Sequence, residues 1–291
     1  MTQNVTTAGG SKRLNTPLLW LGIVLFILLA FLFSGSFKPD QAHFANDGPL
    51  GAQASRIYDM PSAFFGIWSD LYWVGANGGN YTPNFTGVLL WLLGPIGFNK
   101  FIVPSALLIL GLSAGLFFRQ LKFQPVVCVL AGLAAALNSN FLSNACWGLP
   151  SRALSLAAMF LALAAFQSSF NGRPFIRLLK LILAGLGIGL SVSEGGDNGA
   201  IFSLFFAGYV CWLTWTRVPA GESPIKRLTQ AALASGAKLG VIVVFAFLLA
   251  AQIVDIFFGF TGTGIAALGQ KEMSREQKWS WATQWSLPKA E

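Results

Sequence analysis

The sequence predicts an all-α polytopic membrane protein of about seven transmembrane helices. Three observations carry that reading. Hydrophobic residues make up 54% of the 291 residues and charged residues only 10%, with a mean hydropathy of +0.62, whereas a soluble domain carries roughly a quarter charged residues. Seven apolar stretches approach the roughly 20 residues needed to cross a hydrocarbon core. Lysines and arginines collect in alternate connections between those stretches, as the positive-inside rule requires.

Residues 1–16 are polar and read as a disordered cytoplasmic N-terminus ending in Lys12 and Arg13. The apolar run from Pro17 to Phe33 exceeds the roughly 7–15 residues of a signal-peptide core. Ala42-His43-Phe44-Ala45 is a poor cleavage site, so an uncleaved anchor is expected. A polar external loop follows over 38–85, expected to contain short amphipathic helices. It holds four of the chain's eleven acids, Asp40, Asp47, Asp59 and Asp70, and the only histidine, His43. A loop of this length beside a span usually has a job.

The stretch 86–98 is apolar, too short to cross, and interrupted by Gly94-Pro95, which reads as a re-entrant or interfacial helix. Six further spans are expected at 101–118, 125–143, 152–170, 176–193, 199–216 and 239–260, completing a transmembrane region over 17–260. The connections 119–124, 171–175 and 217–238 are basic and 194–198 has no positive charge, so the N-terminus lies in the cytoplasm and the C-terminus outside. Residues 261–291 form an external tryptophan-rich segment, expected to be truncated, in the N-terminal part of a longer protein. The net charge of +8 comes from basic residues placed singly or in pairs beside apolar spans. Membrane lipids are therefore the expected partners and nucleic acid is not. The three cysteines have no metal-ligand or disulfide pattern; Cys128 and Cys211 read as small hydrophobes inside apolar runs.

Three outward features can carry chemistry. Asp47, in ANDGPLGAQ, is either a turn residue before Gly48-Pro49 or a carboxylate general base or metal ligand just above the bilayer. Glu194 and Asp197, in SEGGDNG, either hold a divalent cation through their oxygens or leave Asp197 or Asn198 to cap the next helix. Arg152, at the start of one span, is a phosphate or carboxylate partner or snorkels to headgroups. Asp255, toward the end of the last span, faces protein or a water-filled cavity. All five residues fall at one expected membrane level. His43 reads as a solvated loop histidine. The sequons at Asn80 and Asn84 matter only in a source that glycosylates them.

The layout resembles the bacterial YfhO-type membrane proteins, relatives of the GT-C glycosyltransferases. The likeness rests on Asp47 in the first external loop, NYTPNFTGVLLWLLGP (80–95) and LLILGLSAGLFFRQL (107–121). It implies a GT-C-like bundle in a bacterial cytoplasmic membrane with its site at the outer face. It also implies transfer of a sugar from a polyprenyl-phosphate donor to an envelope glycan or lipid. A first-loop acid would be catalytic base or metal ligand, matched here by Asp47 alone. Magnesium or manganese would be held by Asp47, Glu194 and Asp197, and substrate by Arg152, Glu194, Asp197 and Asp255. The chain departs from the pattern in having Gly48-Pro49 after Asp47, where a second acid is expected. A transporter or lipid flippase is the alternative from another class, because it too uses broken helices and cavity-facing charges. A non-catalytic scaffold docking through the loop is a third.

Overall fold

The computed structural model describes residues 16–43, 50–64, 68–69, 76–77, 83–219, 223–263 and 274–283. The N-terminal segment before them, Asp47, Asp70 and the Asn80 sequon lie outside the described residues. Two compact units emerge, Met1–Ala250 and Ala251–Glu291. The described chain is helical apart from one two-residue antiparallel pair, Trp68–Ser69 with Ala76–Asn77.

Helix α1 (Thr16–Leu32) is 17 residues long, about 25 Å at 1.5 Å per residue. A short 3-10 turn at Ser34–Phe37 follows, and the loop then holds α2 (Leu50–Arg56) with further 3-10 turns at Ile57–Asp59 and Ser62–Phe64. Helix α3 (Phe85–Gln120) is broken at Gly94, whose φ of 67° is a left-handed value that glycine tolerates. Pro95 then opens the longer part, where a missing N–H costs nothing.

The stretch expected as one span at 125–143 is instead two helices, α4 (Pro125–Ala136) and α5 (Ser139–Cys146), bent by 43°. The cause is local: Asn138 leaves the helical region and its side chain accepts the Asn140 N–H at 3.0 Å, capping a new helix. Helices α6 (Pro150–Ser168), α7 (Pro174–Glu194) and α8 (Gly196–Trp215) follow. Helix α9 (Pro224–Thr263) begins well before the expected 239, because the basic residues of the supposed connection occupy helical turns after Pro224. Helix α10 (Arg275–Thr283) lies in the second unit.

Among the described residues, five helices are long and apolar enough to cross a membrane, or six if α4 and α5 make one bent span. Large apolar side chains such as Leu183, Leu204, Phe205 and Phe247 stand exposed on them, the pattern of a surface solvated by lipid. The protein is a multi-pass membrane protein.

Helix α6 is the hub of the first unit. On one side Ala153, Leu154 and Ala157 join a core with Leu21, Leu25 and Leu29 of α1 and Leu107 and Leu110 of α3. On the other, Met159, Ala162 and Phe166 join Ile188 of α7, Phe206 and Val210 of α8 and Ile242 of α9. Ser155 ties α6 to α7 by donating to the Ser191 carbonyl at 2.8 Å. Cys128 is buried, but Cys211 faces outward from α8 and does not pack as a small core residue.

Candidate functional site

Helices α6, α7 and α8 alternate in direction, so one end of the first unit gathers the start of α3, the α5–α6 turn and the α7–α8 turn. A cavity of about 220 Å³ opens there. Its polar lining comes from His43, Gln53, Arg56, Thr86 and Asn99, and its apolar wall from Leu90, Phe98, Ile102, Val103 and Leu149.

Hydrogen bonds hold His43, Gln53, Asn99 and Thr86 in place. The His43 Nε2–H donates to the Cys146 carbonyl at 2.7 Å, which assigns the proton to that nitrogen, and the ring packs edge-on to Phe33 at 5.9 Å. His43 is therefore a half-buried wall residue and not a solvated one. Gln53 of α2 and Asn99 of α3 are both buried and exchange amide hydrogen bonds; Asn99 Nδ2 also donates to the Pro95 carbonyl at 2.8 Å. The pair fastens the loop helix onto the bundle beneath the cavity. Substituting Asn99→Leu removes both amide bonds that Gln53 exchanges with it, and we expect a loss of about 2 kcal/mol. The Gln53→Leu/Asn99→Leu double variant should lose less than the single one, in a thermal melt of the detergent-purified protein.

Thr86 stands at the N-terminus of α3. Asn84 caps that helix, accepting the Gly87 N–H at 2.7 Å. Glu194, at the last turn of α7, takes the remaining donors: Thr86 N–H reaches its Oε1 at 3.1 Å and the Thr86 hydroxyl its Oε2 at 2.5 Å. The Phe85 N–H also donates to it. A carboxylate there satisfies orphan amides and the positive end of the helix.

The other expected residues are placed as follows. Only Gly195 separates α7 from α8, so Glu194 and Asp197 are both helical and the supposed connection is a single residue. Asp197 is exposed in the first turn of α8. Neither it nor Asn198 is the cap, because α8 already starts at Gly196. Glu194 turns inward onto Thr86 instead of pairing with Asp197 around a cation. Arg152 is exposed in the first turn of α6 and its Nη1 donates to Asn144 Oδ1 at 3.2 Å; the preceding Ser151 lines the cavity. Asp255 belongs to the part of α9 in the second unit, and its side chain lies outside the described residues. Among the described residues no three histidine, cysteine or acidic side chains come together as a metal site.

Gln53, Arg56, Thr86 and Asn99 were not among the residues expected from the sequence. Only Asn99, an amide between two apolar stretches, offered a signal. Fold and composition define a helical multi-pass membrane protein with a cavity of mixed polar and apolar lining at one end of its bundle. No protein-family model, no curated protein and no solved structure matches the chain.

Proposed function

We propose that the protein is a glycosyltransferase-like membrane protein acting on a polyprenyl-phosphate-linked sugar at the outer face of a bacterial cytoplasmic membrane. Its seven spans would be α1, the part of α3 after Gly94, the bent α4–α5 pair, α6, α7, α8 and α9. The observation that carries the reading is the chemistry of the cavity. Arg56, the His43 ring and the N-terminal end of α6 converge on it, and helix N-termini and guanidinium groups favour anionic oxygens. The apolar wall of Leu90, Phe98 and Ile102 suits the first isoprene units of a lipid carrier. Arg152 stands beside this rim as a second phosphate partner.

Asp47 lies between His43 and Leu50 in sequence, so four residues of chain hold it within about 14 Å of the His43 Cα. The proposal gives Asp47 the role of general base toward the acceptor hydroxyl. Glu194 commits both oxygens to Thr86 and Asp197 points to solvent, so the described side chains do not fit a magnesium or manganese site. No step is routed through a metal. Glu194 becomes a positioning residue for the cavity wall.

The test is complementation of a strain lacking the gene, with envelope glycans read by mass spectrometry and protein level checked in parallel. Asp47→Ala, made at wild-type level, should leave one sugar missing, since removing a general base costs about 10²–10⁴-fold. Full restoration by Asp47→Ala would leave it a turn residue. An unchanged glycan profile in the deletion itself would sink the transferase reading. The transporter or flippase reading, which the breaks in α3 and α4–α5 favour, would then take its place.

A further inference from the structure

At the end of the first unit opposite the cavity, packing gathers cations with no acid among them. Arg177 lies in the first turn of α7 and Glu194 in its last, 17 residues and about 25 Å away along the helix. Phe170, in the α6–α7 turn, is the centre of the cluster. The Arg217 guanidinium stacks on its ring at 3.9 Å from the centroid, and the Lys238 ammonium of α9 sits at 4.9 Å from the same centroid. Lys238 also donates to Thr214 Oγ1 at 3.3 Å, and Arg177 and Arg217 are the charges that face it. Arg227 lies over Trp215, 4.6 Å from the ring centroid. Among the described residues no carboxylate pairs with Arg177, Arg217 or Lys238; Glu222, the nearest acid in sequence, lies outside them.

Two like charges share one ring and a third, Arg177, faces Lys238, so they repel one another, and cation–π contacts of about 0.5–2 kcal/mol each relieve little of that. An anion completes the arrangement. Its depth identifies the source. Trp212 and Trp215 stand exposed at the same end of α8, where an interfacial aromatic belt is expected. Exposed apolar faces lead away from the cluster, Leu204 and Phe205 on α8 and Val243, Val244 and Phe247 on α9. A free anion would use the charges and leave those faces idle. A phospholipid uses both.

We infer that Arg217 and Lys238, which share the Phe170 ring, together with the neighbouring Arg177 form a headgroup site for an anionic phospholipid whose acyl chains lie along α8 and α9. The site stands apart from the cavity and does not depend on the transferase reading. Its recognition is electrostatic: the phosphate bridges Lys238 and Arg217, and Arg177 screens the remaining charge.

The test measures lipid binding to the full chain in neutral detergent by native mass spectrometry, with dioleoyl-phosphatidylglycerol and dioleoyl-phosphatidylcholine as probes. Wild type should bind phosphatidylglycerol at least tenfold more tightly. The Arg177→Gln/Arg217→Gln variant changes only exposed side chains, and should weaken phosphatidylglycerol about thirtyfold, five- to sixfold per charge. The Arg119→Gln/Lys226→Gln variant removes the same net charge outside the cluster and should stay within twofold of wild type. Equal losses in the two variants would overturn the site in favour of general surface charge. So would equal binding of both lipids by wild type. Displacement of phosphatidylglycerol by an equal concentration of inorganic phosphate would overturn the lipid as its occupant.

Discussion

Replacing Glu194 by alanine should destabilise the protein by about 3–4 kcal/mol, a large value for one substitution. The residue is 7% exposed and its carboxylate serves the amides of Phe85 and Thr86 and the Thr86 hydroxyl. Alanine removes the acceptor that those part-buried donors share, and each lost charge-assisted bond costs about 1.5–3 kcal/mol before relaxation. Glutamine is nearly isosteric. Its oxygen still accepts from a backbone amide and its NH₂ can donate to the Thr86 hydroxyl, so Glu194→Gln should lose only about 1 kcal/mol. The order wild type, Gln, Ala should appear in melting temperatures in detergent. In Glu194→Ala, hydrogen exchange at Val88–Leu90 should accelerate, because the first segment of α3 loses its anchor. The result separates two roles. A residue kept for binding a metal or substrate usually destabilises the empty protein, so its removal is neutral or stabilising. An Ala variant that melts like wild type would return Glu194 to the ligand set.

The same residue shows what the sequence could reveal. Its position at the end of a span was legible, because α6, α7 and α8 begin and end within three residues of the apolar stretches that predict them. Their starts fall early because proline opens α6 and α7 at a position where no N–H is needed. The Gly94-Pro95 break was legible for the same local reason. Partners were not. Glu194 meets Thr86 across 108 residues and Gln53 meets Asn99 across 46, and hydropathy says only that a stretch is apolar, not which helix it touches. The α4–α5 bend escaped because the stretch 125–143 stays apolar on average despite Asn138 and Asn140, yet one amide side chain is enough to cap a new helix. The Lys238 cluster was visible as basic connections. That Phe170 draws two of those charges together, with Arg177 facing one of them, required the packing of α6, α7, α8 and α9.

Glycines in α7 provide the second large effect. Helix α9 is mostly exposed, with 11% of its most apolar window buried, so its attachment rests on a narrow seam. At Gly185 an added Cβ would stand 2.6 Å from the Ile242 carbonyl oxygen and 2.9 Å from the Phe245 Cβ. At Gly189 it would collide with the Ala246 carbonyl oxygen and come 3.0 Å from the Leu249 Cβ. The obstacles are backbone and Cβ atoms, which cannot rotate away. Such close approach of small residues is how helices associate in lipid, where no hydrophobic force drives them together. Gly185→Ala and Gly189→Ala should each cost about 2–3 kcal/mol, typical of overpacking against rigid atoms. Their combination should lower the melting temperature more than either alone. On α9 itself, Gly236 and Gly240 have no atom within 4 Å of an added Cβ. There the intrinsic preference of the helix for alanine decides, and Gly236→Ala and Gly240→Ala should be neutral or stabilising by up to about 1 kcal/mol. The same chemical change thus has opposite signs on two faces of one pair of helices. If all four variants melted alike, α7 and α9 would not meet along this seam, and the placement of Lys238 beside Phe170 would fall with it.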